Sequence, residues 1–159
     1  MKARENEQKR GNIRFTAHDI SMVATMLDKM SSTIDIMFFL MDRKEESNFV
    51  TMLVSAQNID LKALIEKEKR DTDIMFEIDA KEPLYAIICQ DTKIDGGYHF
   101  AERLVRKSVT GGGEEVYCTE LEVRTTAHKI KYIIYRLMEL FLQTKQAKKH
   151  GEIVFKTLN

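Results

Sequence analysis

Asp73-Ile74-Met75-Phe76-Glu77-Ile78-Asp79-Ala80-Lys81-Glu82-Pro83-Leu84-Tyr85-Ala86-Ile87-Ile88-Cys89 is the stretch that decides the fold. Two short apolar runs, 73–78 and 84–89, flank the polar segment 79–83, and this spacing predicts a β-hairpin. Pro83 is the chain's single proline. It suits the turn, because a residue without an N–H would break a ladder inside a strand.

Upstream of the hairpin, Phe49 to Glu68 carries Leu53, Leu61, Leu64 and Ile65 and predicts a helix interrupted near Asn58-Ile59-Asp60. Asp60 is placed to cap its second half, 61–69. Ile34 to Met41 is an apolar run of strand length and predicts a buried central strand, with the chain returning to solvent from Asp42. Before it, Thr16 as N-cap and Ile20, Val23, Ala24 and Leu27 predict a helix over 16–30, stopped by Ser31-Ser32. Residues 1–15 form a polar tail or linker and 16–159 one domain.

Downstream, Asp95-Gly96-Gly97 opens a helix with Phe100, Ala101, Leu104 and Val105 on its apolar face. Thr110 to Gly113 is a glycine-rich loop, and Glu115 to Arg124 alternates as a strand whose phase slips near Thr119, suggesting a bulge there. Ala127 to Lys145 is strongly periodic and helical, Gly151 is a stop, and Glu152 to Leu158 is a last short strand. Helix, strand, helices, hairpin, helix, strand, helix, strand is an α/β order, implying a mixed sheet with helices packed on it.

The bulk composition excludes several classes. Lys plus Arg and Asp plus Glu each number 25 in 159 residues, so no overall field draws the chain to nucleic acid or to an anionic membrane. No run reaches the ~18 apolar residues of a membrane span, and the charged N-terminus is not a signal peptide. Cys89 and Cys118 have no metal-ligand spacing and read as reduced thiols of a cytoplasmic protein; His18, His99, His128 and His150 are scattered. No metal or cofactor is expected. Met22, Met26 and Met30 form a stripe on the first helix suited to core packing or to a dimer or domain contact.

Three local features carry a family resemblance. Arg70-Asp71-Thr72-Asp73 stands directly before the hairpin; Leu84 to Thr92 is followed by a helix with Ala101-Glu102-Arg103-Leu104; and Ala147-Lys148-Lys149-His150-Gly151-Glu152-Ile153-Val154 ends the chain. In this order they resemble the GGDEF (diguanylate cyclase-like) domain over roughly residues 30–158. The resemblance implies the GGDEF/nucleotidyl cyclase fold. It also implies that Arg70 and Asp73 form the Arg-x-x-Asp site at which that family binds cyclic di-GMP, with Arg103 or Arg106 as the second arginine. An arginine fork suits phosphate or a guanine edge.

The departures point to a degenerate member. The signature turn, with glycines for close backbone approach and acidic metal-holding residues, is here Asp79-Ala80-Lys81-Glu82-Pro83, with a cation where a ligand to metal belongs. Asp42, at the end of the expected first strand, matches the place of the family's first metal aspartate and lacks a partner. Gly112-Gly113-Glu114-Glu115 mimics the signature but follows a helix and lacks the upstream Arg-x-x-Asp. The expectation is therefore a domain that is not an enzyme, with no catalytic residues. It would bind cyclic di-GMP through Arg70 and Asp73 and signal to a protein partner or dimer mate. The runner-up is a ligand-independent interaction scaffold.

Overall fold

The computed structural model describes residues 13–44 and 47–159, so most of the expected tail, 1–12, lies outside the described residues. Ile13 and Phe15, counted with that tail, pack against the core. Helix α1 spans Ala17–Asp42. Thr16 caps it as expected: its hydroxyl accepts from the Asp19 N–H at 3.1 Å, and the Asp19 carboxylate accepts from the Thr16 N–H at 2.9 Å.

The strand expected at 34–41 is corrected, because α1 continues through it. Met22, Met26, Met30, Ile34 and Met37 make one buried stripe at helical spacing, while Ile36 and Phe39 face outward at 54% and 56% exposure. Ser31 does not stop the helix; its hydroxyl donates back to the Leu27 carbonyl at 2.5 Å within the continuing helix.

The first strand, β1, is Phe49–Gln57, where a helix was expected. It is the central strand with both faces covered, so its apolar residues run nearly without alternation and imitate a helix segment. Asp60 then caps α2 (Leu61–Glu68) by accepting from the Ala63 N–H at 3.1 Å. The hairpin is present as β2 (Asp73–Asp79) and β3 (Leu84–Cys89). Helix α3 (Ile94–Thr110), β4 (Glu114–Val123), α4 (Ile130–Gln146) and β5 (Ile153–Leu158) complete the chain.

The sheet order is β2-β3-β1-β4-β5, all neighbours antiparallel except β4 and β5. Pairing of β1 with β4 is regular through Thr119, and the irregularity lies between Ser55 and Gln57. The bulge expected near Thr119 is corrected: the apparent phase slip arises because β4 is buried on both faces from Val116 to Val123. Helices α1 and α4 cover one face of the sheet; α2 and α3 cover the other. Ser55 of β1 lies opposite Leu84 and Tyr117, so the hairpin turn is at that end of the sheet; Val50 lies opposite Cys89 and Glu122 at the other. Among the described residues no helix is long and apolar enough to cross a membrane.

Candidate ligand cleft

Arg70 and Asp73 are brought together by the tight turn between α2 and β2, at the end of the sheet away from the hairpin turn. Asp73 is buried, and one carboxylate oxygen accepts the Arg70 backbone N–H at 2.8 Å. The other accepts from the guanidinium, Nε at 3.1 Å and Nη2 at 2.8 Å. Nη2 also reaches the Gln90 carbonyl at 3.1 Å and the Thr92 hydroxyl at 2.6 Å. Hydrogen bonding to Asp73 raises the Arg70 pKa above its ordinary value, so the cation is permanent. Asp73 is thus the residue that fixes Arg70, with its own oxygens already committed.

Helix α3 forms the facing wall. No side chain at its N-cap, Lys93, closes it. The wholly buried Glu122 of β4, on the sheet face that α3 covers, does so, accepting from the Ile94 N–H at 2.8 Å. The same carboxylate accepts from Asn48 Nδ2 at 2.9 Å, Arg124 Nε at 2.8 Å and Thr157 Oγ1 at 3.0 Å. Burial pushes the Glu122 carboxyl up, and these hydrogen bonds outweigh it and hold it below the usual range.

A helix anchored there presents Gly96, His99, Phe100 and Arg103 to Arg70, Asp73, Thr92 and the edge of Cys89 around a cleft of about 270 Å³. The Arg103 guanidinium sits over the Phe100 ring, 5.5 Å from its centroid. Of the two candidate second arginines, Arg103 lines the cleft. Arg106 is exposed, lies outside the lining, and approaches Glu102 at 3.5 Å. Thr92 and His99 are cleft residues that sequence reasoning did not assign. Thr92 was visible only as a turn former, and His99 only as an isolated histidine.

Asp42 is not at a strand end. It is the last residue of α1 and accepts from the Thr126 hydroxyl at 2.9 Å, at the end of the sheet opposite the hairpin turn. Beside the hairpin turn lies a second cavity, of about 190 Å³, whose polar lining is Ser55, Gln57, Glu82, Glu115 and Lys145. Of the turn residues, Asp79 accepts from the Lys81 N–H at 3.0 Å and meets His18 at 2.8 Å. Ala80, Lys81 and Glu82 are exposed, Pro83 is half-buried, and Glu82 lies 3.5 Å from Lys145. Glu115, from the sequence that mimics the signature, has φ +47° and enters this same cavity. No group of three or more His, Cys, Asp or Glu among the described residues is placed to hold a metal ion. Glu82 and Glu115 are the two carboxylates that line this cavity.

The element order, the mixed five-stranded sheet and the helix layers define the GGDEF, diguanylate cyclase-like fold. The active GGEEF domain of a diguanylate cyclase from Vibrio cholerae is similar in structure at TM-score 0.61 and 13% identity, over 78% of this chain and 92% of that one. A diguanylate cyclase/phosphodiesterase from Caldicellulosiruptor saccharolyticus is similar at TM-score 0.53 and 15% identity, over 80% of this chain and 86% of that one. No family model matches the sequence, and no curated protein does.

The expectation that the chain is not an enzyme is corrected on these findings. The fold is shared with a domain described as active. The expectation also took Asp42 as the residue at the first strand's end; that end carries Ser55 and Gln57, and Glu82 and Glu115 share the cavity there.

Proposed function

We propose that this diguanylate cyclase-like domain binds cyclic di-GMP in the cleft between Arg70 and Arg103 and passes the bound state to a protein partner. The observation that carries the reading is the pair of guanidiniums on facing walls of one cleft, one of them held rigid by a buried carboxylate. Guanidinium forks suit both ligand features available, the phosphodiester oxygens and the guanine O6/N7 edge. The cleft encloses about 270 Å³ between the α2–β2 turn and α3. Because Arg70 joins the α2–β2 turn to Thr92, and Arg103 belongs to α3, a ligand bridging them would tie that turn to α3.

Calorimetric titration of the full chain with cyclic di-GMP tests this. Micromolar binding that is lost in Arg70→Ala and in Arg103→Ala, with the circular dichroism unchanged, supports it; absence of heat with the folded wild type overturns it. The scaffold reading is favoured by a different observation: Ile36 and Phe39 on α1, and Tyr132 and Tyr135 on α4, are exposed on two helices that pack together. It predicts no nucleotide binding and an oligomer that grows with concentration in sedimentation equilibrium.

A further inference from the structure

Glu120 sits in the middle of β4 with no exposed surface, and neither of its carboxylate oxygens has a hydrogen-bond partner among the described residues. A buried acid in that state requires a physical account, because an ionised carboxylate there has neither solvent nor donor. Alternation along β4 puts it on the face of Val116 and Cys118, beneath α3. There the contact is close: a Cβ added to Gly97 would stand 2.9 Å from Glu120 Oε2. Gly97 is thus the position at which α3 passes over the acid, and Gly96, His99, Phe100 and Arg103 of the cleft lie on either side of it.

The groups around the acid leave it alone. From β1 come Val50 and Met52, both apolar, and from β3 the thiol of Cys89. β4 itself contributes the thiol of Cys118 and the carboxylate of Glu122, whose oxygens are already occupied by Ile94, Asn48, Arg124 and Thr157. β5 places Phe155 opposite, with Tyr98 of α3 edge-on to it at 5.8 Å. Among the described residues no cation pairs with Glu120.

We propose that Glu120 is a proton switch for the neighbouring cleft: held as a neutral acid under Gly97, it lets α3 lie against the sheet, and its ionisation loosens the first half of α3 and weakens binding between Arg70 and Arg103. The effect on binding rests on the reading of that cleft as a nucleotide site; the loosening of α3 does not. Burial pushes the Glu120 carboxyl up to about 8, so the switch works just above neutrality. Burial also pushes both thiols well above their ordinary value, and Glu122 is held low, so none of these three changes charge in the same range.

The test uses the full chain, as wild type, Glu120→Gln and Glu120→Met; the methionine variant keeps the length of the side chain without its polar end should the glutamine variant fail to fold. Hydrogen exchange of the 94–105 amides, corrected for intrinsic rates, is followed at pH 6 and pH 8, and calorimetry with cyclic di-GMP at pH 7 and pH 9. An opening that exposes Glu120 becomes about tenfold easier per pH unit in the first interval, so α3 protection falls in the wild type, stays flat in the variants, and is unchanged in α4. Affinity in the wild type weakens by about tenfold from pH 7 to 9, and less in the variants. Protection that is flat in the wild type, or that falls equally in the variants, overturns the switch. No heat at either pH overturns the cleft reading and the effect on binding, and the exchange data then decide the loosening of α3 by themselves.

Discussion

Asp73 lies buried under Arg70 and accepts both its backbone N–H and its guanidinium, so one carboxylate closes the turn and aims the cation at the same time. The arginine is half-exposed and the aspartate is not. That asymmetry separates their roles: Arg70 is free to meet a ligand on its outer side, and Asp73 is the residue that positions it.

The two substitutions therefore differ. Arg70→Ala removes the cation and leaves the Asp73 carboxylate with its backbone donor. It costs about 1–2 kcal/mol of stability and abolishes nucleotide binding. Asp73→Asn removes the charge that holds the fork. It costs about 1–3 kcal/mol and weakens binding partially, because Gln90 and Thr92 still hold Nη2. Denaturant midpoints and calorimetry on both variants check this; complete loss of binding in Asp73→Asn would instead make the aspartate a direct ligand contact.

Glu122 closes the N-terminus of α3 from the strand beneath it, and its replacement tests how the cleft wall is anchored. Glu122→Ala leaves Asn48, Arg124, Thr157 and the Ile94 N–H without their shared acceptor and costs about 3 kcal/mol in a urea melt. The folded-state pKa of Glu122 lies below its unfolded value of 4.5. Its contribution is thus present above pH ~4.5 and lost as the pH falls below it. Glu122→Gln flattens the acid limb of a stability–pH profile; a profile identical to wild type between pH 3 and 5 would show that the carboxylate is not the anchor.

Which parts of this arrangement were legible in the sequence follows from where their causes lie. The hairpin around 79–83, the Thr16 and Asp60 caps and the stripe of α4 are set by neighbours a few residues apart, and the expected elements match the structure. Arg70 and Asp73 stood out only through the resemblance to the Arg-x-x-Asp motif, and their pairing in the structure is confined to one local turn. β1 and the second half of α1 were not, because a strand covered on both faces and an apolar helix segment share one composition. Ile36 and Phe39 face solvent, so the run 34–41 reads as more deeply buried than it is. Misplacing that strand also put Asp42 at the wrong end of the sheet. The meeting of Arg103 with Arg70 depends on Glu122 fixing α3, a contact from 28 residues away that no local pattern encodes.

Gly97→Ala tests the close approach of α3 to the sheet. The new Cβ meets Glu120 Oε2 at 2.9 Å and Val50 at 3.0 Å, while φ lies outside the left-handed region, so the cost is steric. Overpacking of this kind destabilises by about 1–3 kcal/mol, offset in part by up to ~1 kcal/mol of better helix propensity. In a Glu120→Ala background the clash with the carboxylate is gone, and the penalty of Gly97→Ala falls by about 1 kcal/mol in a double-mutant cycle. Strict additivity of the two changes would mean that α3 does not bear on Glu120.

The buried acid also leaves a signature in global stability, with a sign opposite to that of Glu122. Glu120 has a folded-state pKa raised to about 8 from 4.5, so the native state holds a proton that the unfolded chain releases. The stabilisation is complete below pH ~4.5 and is lost progressively as the pH rises to about 8. Above that both states are ionised and the loss is constant. At about 1.4 kcal/mol per pH unit the total reaches a few kcal/mol. Other groups titrate over the same range, so the informative quantity is the difference between wild type and Glu120→Met. In thermal melts from pH 5 to 9.5, the variant gains on the wild type up to pH ~8, and the gap then stays level. A gap that does not change between pH 5 and 8 would show that Glu120 is already ionised in the folded state and has found a partner.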